Sequence, residues 1–110
     1  MAIKPRQTLD ILGRNWRVYF VKSKLRIADG TECDGYTLKD KHLIKVSLNL
    51  AKDRQRSTLL HEVLHAIIDM TSSVHHQDEE RCIQALESGL FPVLRSPHNV
   101  WLINFLLETE

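Results

Sequence analysis

The hydrophobic period of this chain changes once, near Asn49, and that change constrains the fold more than any other feature. Before it, Ile44, Val46 and Leu48 alternate with Leu43, Lys45 and Ser47, the two-residue repeat of a strand with one apolar face. After it, Leu50, Leu59, Leu60, Val63, Leu64, Ile67 and Ile68 recur at three- and four-residue steps. That is the repeat of an amphipathic helix of about five turns. Strands first and helices afterwards make an α+β layout.

The strand half is expected to hold a small twisted sheet, antiparallel or mixed, of about three strands. Asn15 to Val21 is rich in aromatic and β-branched residues and reads as one strand. Cys33 to Leu38 and Leu43 to Leu48, separated by Lys39-Asp40-Lys41-His42, read as a hairpin with a four-residue loop. Residues 1–12 read as a short helix or arm ended by Gly13. After the long helix, a His/Ser-rich gap from Thr71 to Gln77 precedes a second helix opening at Asp78-Glu79-Glu80, where acidic residues suit the helix dipole. Ser96-Pro97 has the form of a third helix start, carrying Val100, Trp101, Ile103, Leu106 and Leu107. Trp16, Phe20, Trp101 and Phe105 are most simply core residues.

A chain of 110 residues has the size of one domain, so residues 1–110 are expected to share a single core. With 43% hydrophobic and 26% charged residues, it has the balance of a soluble globular protein. Its apolar runs, such as Ala66-Ile67-Ile68 and Trp101-Leu102-Ile103, are too short to span a bilayer. No secretory signal is visible at Met1 to Arg6, so a cytoplasmic location is expected, with Cys33 and Cys82 as reduced thiols. Charge is split sharply: residues 1–56 carry net +7 and residues 57–110 net −6, together the chain's +1. Two halves packed with complementary surfaces account for this more simply than a basic face for nucleic acid, which is the second reading.

The chemistry lies in His61-Glu62-Val63-Leu64-His65. Residues i and i+4 share one helix face a turn apart, so both imidazoles can address one ion. Two neutral imidazoles suit Zn²⁺, and a third protein ligand would leave one tetrahedral position for water. Glu62, about 100° round the helix from His61, would sit beside that water as general base. With six histidines and seven glutamates in the chain, chance placement gives the pattern in about 2% of such sequences.

From Ser57 to Ile67 the chain resembles the active-site helix of the zincin metallopeptidases, in particular small phage and prophage proteins in the style of the ImmA/IrrE and minimal gluzincin groups. The resemblance covers roughly residues 43–97, weakly downstream through Glu80 and Leu86-Glu87-Ser88-Gly89-Leu90. It implies a zinc-dependent peptidase acting on a protein or peptide substrate, with Leu43 to Ser47 as the sheet edge that pairs with it. Metzincins are excluded, because Ile68 and Thr71 stand where that family needs Gly and His. Gluzincins take a Glu from the next helix. Glu80 is preferred, with Gln84 one turn later as a polar support; Glu79 and the loop residues His75 and His76 remain alternatives. Tyr36, His75, His76 and His98 are candidates to stabilise an oxyanion. The competing function is a zincin-fold binding or regulatory protein with a structural metal site and a protein or nucleic-acid partner; the presence of Glu62 favours the enzyme.

Overall fold

A computed structural model describes residues 7–71 and 76–108, with the side chain of His76 left undescribed. The fold is α+β. A mixed four-stranded sheet is built from β1 (Gln7–Ile11), β2 (Arg14–Val21), β5 (Gly35–Leu38) and β6 (Leu43–Ser47) in the order β1-β2-β6-β5. A two-stranded ribbon, β3 (Leu25–Arg26) with β4 (Glu32–Cys33), interrupts the path from β2 to β5. Three helices follow: α1 (Lys52–Thr71), α2 (Glu79–Arg95) and α3 (Val100–Leu107).

Three expectations are corrected here. Of the segment 1–12 read as a helix or arm, residues 7–11 form strand β1, which brings the sheet to four strands where about three were expected, while residues 1–6 lie outside the described residues. β1 is joined to β2 by a tight turn at Leu12 and Gly13, both at positive φ (53° and 84°). Such a turn matches strand twist, and glycine adopts it without strain; the Asp10 carboxylate accepts from the Gly13 N–H at 2.8 Å. The Cys33–Leu38 strand is divided at Asp34 between the ribbon and the sheet. And β6 is not an edge: it lies between β2, with which it runs parallel, and β5, with which it runs antiparallel, so β5 is the edge. The β5–β6 hairpin itself stands as expected, closed by a 3₁₀ turn at Lys39–Lys41 and His42 at φ 50°.

One sheet face packs on α1. Trp16, Val18, Ile44 and Val46 are fully buried there with Ile11 and Ala66, and Leu9, Phe20, Leu59, Val63, Ile67 and Met70 pack around them. Ile83, fully buried, anchors α2. Trp101 and Phe105, expected in the core, are instead about two-thirds exposed, at 64% and 66%. Among the described residues, no helix is long and apolar enough to cross a membrane. Ion pairs that join the basic and acidic halves are Lys39–Glu79 and Arg95–Asp53, whereas Lys24, Arg26, Arg54 and Arg56 pair within the first half.

Candidate metal centre

α1 places His61 and His65 one turn apart on the face it turns towards α2, their ring centroids 5.0 Å apart. The first turn of α2 brings Glu80 against both rings. One Glu80 oxygen lies 2.7 Å from His61 Nε2 and the other 2.8 Å from His65 Nε2. Ligand atoms of His61, His65 and Glu80 all lie within 4.8 Å of one another.

The other nitrogen of each ring is also held. His61 Nδ1 meets Glu87 at 3.0 Å, and His65 Nδ1 meets Glu79 at 2.5 Å. Glu79, Ile83 and Glu87 recur every four residues on one face of α2, so burying Ile83 against α1 carries both carboxylates to the histidines. A carboxylate accepting the Nδ1 proton fixes the tautomer and turns the Nε2 lone pair towards the cluster. Two such lone pairs facing one carboxylate repel unless each ring takes a second proton or a metal ion is shared among them, and the set of two imidazoles and one carboxylate fits Zn²⁺. Glu79 is 7% exposed and stays charged through Lys39, whose Nζ donates to both its oxygens at 3.1 and 3.2 Å. Burial pushes the Glu79 carboxyl up, but hydrogen bonds from His65 and Lys39 outweigh it and hold it below the usual carboxylate range. For His61, burial disfavours the charged ring, yet the Glu87 hydrogen bond and the charges of Glu80, Glu62 and Glu87 raise it overall.

Glu62 stands apart from this cluster. It is 7% exposed and points to the sheet, where Thr37 Oγ donates at 2.7 Å to its Oε1 and also lies 3.1 Å from its backbone oxygen. Burial raises its carboxyl above the ordinary range, against the Thr37 hydrogen bond and the neighbouring histidines. The edge strand comes this close because of Gly35: a Cβ there would meet Lys45 O at 2.6 Å and Thr58 Cγ2 at 2.9 Å. A larger residue would push β5 off the helix.

A cleft of about 910 Å³ opens over these groups, with Tyr36 and Thr37 on one wall and Gln84 on the other. The structure thus unites His61, Glu62, His65 and Glu80, as the motif and the next helix suggest. Glu79, weighed as a ligand, braces His65. Gln84 lines the cleft, but the partners of Glu80 are the two histidines. Of the oxyanion candidates, Tyr36 lines the cleft; His98, on the turn Pro97–Asn99, does not. His75 and the His76 side chain lie outside the described residues. Burial, with the charges of Glu62 and Asp34 beside it, pushes the Cys33 thiol up, which keeps it protonated.

Sequence reasoning missed Gly35, Thr37, Lys39 and Glu87. For Glu87 a signal existed, its spacing of eight from Glu79 on one helical face; for Gly35, Thr37 and Lys39 none did, because only tertiary packing brings β5 and the turn after it to the helices.

No model of a known protein family matches the chain, nor does any curated protein or solved structure.

Proposed function

We propose that this chain is a zinc-dependent peptidase with a zincin-like site, hydrolysing a protein or peptide substrate. The observation that carries the reading is the pairing of roles: His61, His65 and Glu80 converge as ligands, each ring is braced by its own carboxylate, and Glu62 lies beside them but outside the set. A purely structural zinc site is normally closed by four protein ligands, whereas three with an adjacent base and an open cleft suit hydrolysis. When bound, zinc would supply a Lewis acid that polarises the scissile carbonyl and makes water acidic enough to lose a proton near neutral pH.

The remaining work falls to the chain's own residues. Glu62, with Oε1 occupied by Thr37, has Oε2 to accept a proton from the attacking water. As hydroxide adds to the carbonyl carbon and the C–N bond breaks, Glu62 returns that proton to the leaving nitrogen, so the carboxylate is regenerated. An extended peptide laid along the free edge of β5 would make main-chain hydrogen bonds with little sequence selectivity.

Two variants test the reading together. Glu62→Gln is expected to keep stoichiometric zinc by elemental analysis while cleavage of a quenched-fluorescent peptide library falls by at least about 100-fold. His61→Ala is expected to lose the zinc itself. Unchanged cleavage by Glu62→Gln would refute Glu62 as the base, and undiminished zinc in His61→Ala would refute the ligand set.

A further inference from the structure

The C-terminal part of the molecule poses a separate question. Leu86, Leu90, Val93 and Leu94 form one stripe along α2, and all four are exposed. On α3, Val100, Trp101, Phe105, Leu106 and Leu107 are 53–73% exposed. With large apolar side chains each exposing on the order of 100 Å², the five on α3 alone match the few hundred Å² usual for a monomer's largest patch. Together with the walls of a groove that received them, they would come towards the roughly 800 Å² per partner that a stable interface buries.

The same chain carries an apolar receptor. Between β1 and α1 lies a groove of about 520 Å³ walled by Leu9, Ile11, Leu12, Leu59, Leu60 and Val63, with Arg56 at its margin. α3 does not line it. The path of the chain brings the two close: Arg95, at the end of α2, pairs with Asp53 at 2.7 Å, and Asp53 also holds Arg56 at 2.8 Å. The turn Ser96 to Asn99 therefore releases α3 near the groove's rim.

We propose that two copies of this chain associate by exchanging α3, each helix docking its Trp101 and Phe105 face into the partner copy's β1–α1 groove. Reciprocal exchange closes the assembly as a two-fold dimer with neither copy's α3 left over. An eight-residue helix is about 12 Å long, a length suited to one such groove. The chemistry of α3 selects this occupant over others. Residues 96–110 contain no Lys or Arg, and Glu108 and Glu110 follow the helix, which disfavours both a polyanion and an anionic membrane surface. The apolar pattern that reads as core in the sequence is then core, completed by a second molecule.

Sedimentation and light scattering at micromolar concentration are expected to give twice the 12.8 kDa chain mass. Trp101→Asp with Phe105→Asp, at exposed positions, should give a monomer with an unaltered far-ultraviolet spectrum. Leu12→Asp should also give a monomer, by charging the groove at a 63% exposed, positive-φ position where Asp is well tolerated. Mixing the α3 variant with the groove variant leaves one intact contact and should restore part of the heavier species. A parent chain that is monomeric overturns the proposal, including one that instead floats with phosphatidylcholine vesicles. A dimer that the α3 variant abolishes but Leu12→Asp leaves intact overturns the exchange in favour of a direct α3–α3 contact.

Discussion

The two halves of α2 treat their side chains in opposite ways. Its N-terminal half buries Glu79 and holds Glu80 and Glu87 against histidines, while its last two turns leave Leu90, Val93 and Leu94 in solvent. Charges are drawn inward where apolar groups are turned outward, the reverse of what burial alone would arrange. Burying carboxylates is costly unless each meets a cation or donor, and here each does: Glu79 has Lys39 and His65, and Glu87 has His61. The contrast teaches that neither half was shaped by the monomer's core alone. One half converges its carboxylates on two histidines, the set of the proposed metal site, and the other leaves its apolar stripe in solvent.

The comparison is broken most strongly by truncating one apolar residue in each half. Ile83 is fully buried between the helices, so Ile83→Ala should cost about 2–5 kcal/mol in urea unfolding. Leu90→Ala, measured dilute enough to keep the chain monomeric, should cost no more than about 0.5 kcal/mol. Equal costs would mean that the C-terminal half is packed within its own molecule.

This difference also explains what the sequence could and could not disclose. The His61–His65 face of α1 was legible because i, i+4 spacing is a local property: the two residues share a face whatever surrounds them. Glu80 was reachable by the same local logic once the next helix was located. The brace at His65 was not, since Glu79 and Glu80 differ only in which side of the first turn meets α1, and Ile83 decides that through packing. β1 was misread because Gln7–Ile11 offers just two apolar residues, Leu9 and Ile11, and its pairing depends on the Leu12-Gly13 turn. The interior position of β6 rests on a parallel pairing with β2, more than twenty residues away in sequence, for which alternation carries no signal. Trp101 and Phe105 expose a further limit: periodicity says that a face is meant to be buried, not in which molecule.

A smaller effect sharpens the account of the inward half. Glu79→Gln and Glu87→Gln keep shape but weaken the grip on Nδ1, so each should lower zinc affinity about 10- to 100-fold, read by competition with a chromogenic chelator. Glu79→Gln should be the more severe, because Glu79 is the more buried and its loss leaves Lys39 without its counter-charge. Unchanged affinity in both would show that the rings are oriented by α1 alone and that the acidic face of α2 has another purpose.

The smallest expected effect concerns the Thr37 hydrogen bond that links sheet and helix at the proposed base. Thr37 Oγ donates to Glu62 Oε1, and Gly35 lets the strand approach closely enough for it to do so. Thr37→Val fills nearly the same volume but removes that donor, costing about 1 kcal/mol of stability. Zinc content should not change, since neither Thr37 nor Glu62 belongs to the ligand set. If the hydroxyl serves to hold the carboxylate in its working orientation, kcat should fall about tenfold, the equivalent of one modest hydrogen bond, while KM stays near that of the parent. Thr37→Ser should restore the rate, because it returns the donor without the methyl group. A structural role alone predicts something else: a lower melting temperature with kcat intact. Loss of stability without loss of rate would therefore separate the edge strand from the chemistry and leave α1 and α2 as its whole scaffold.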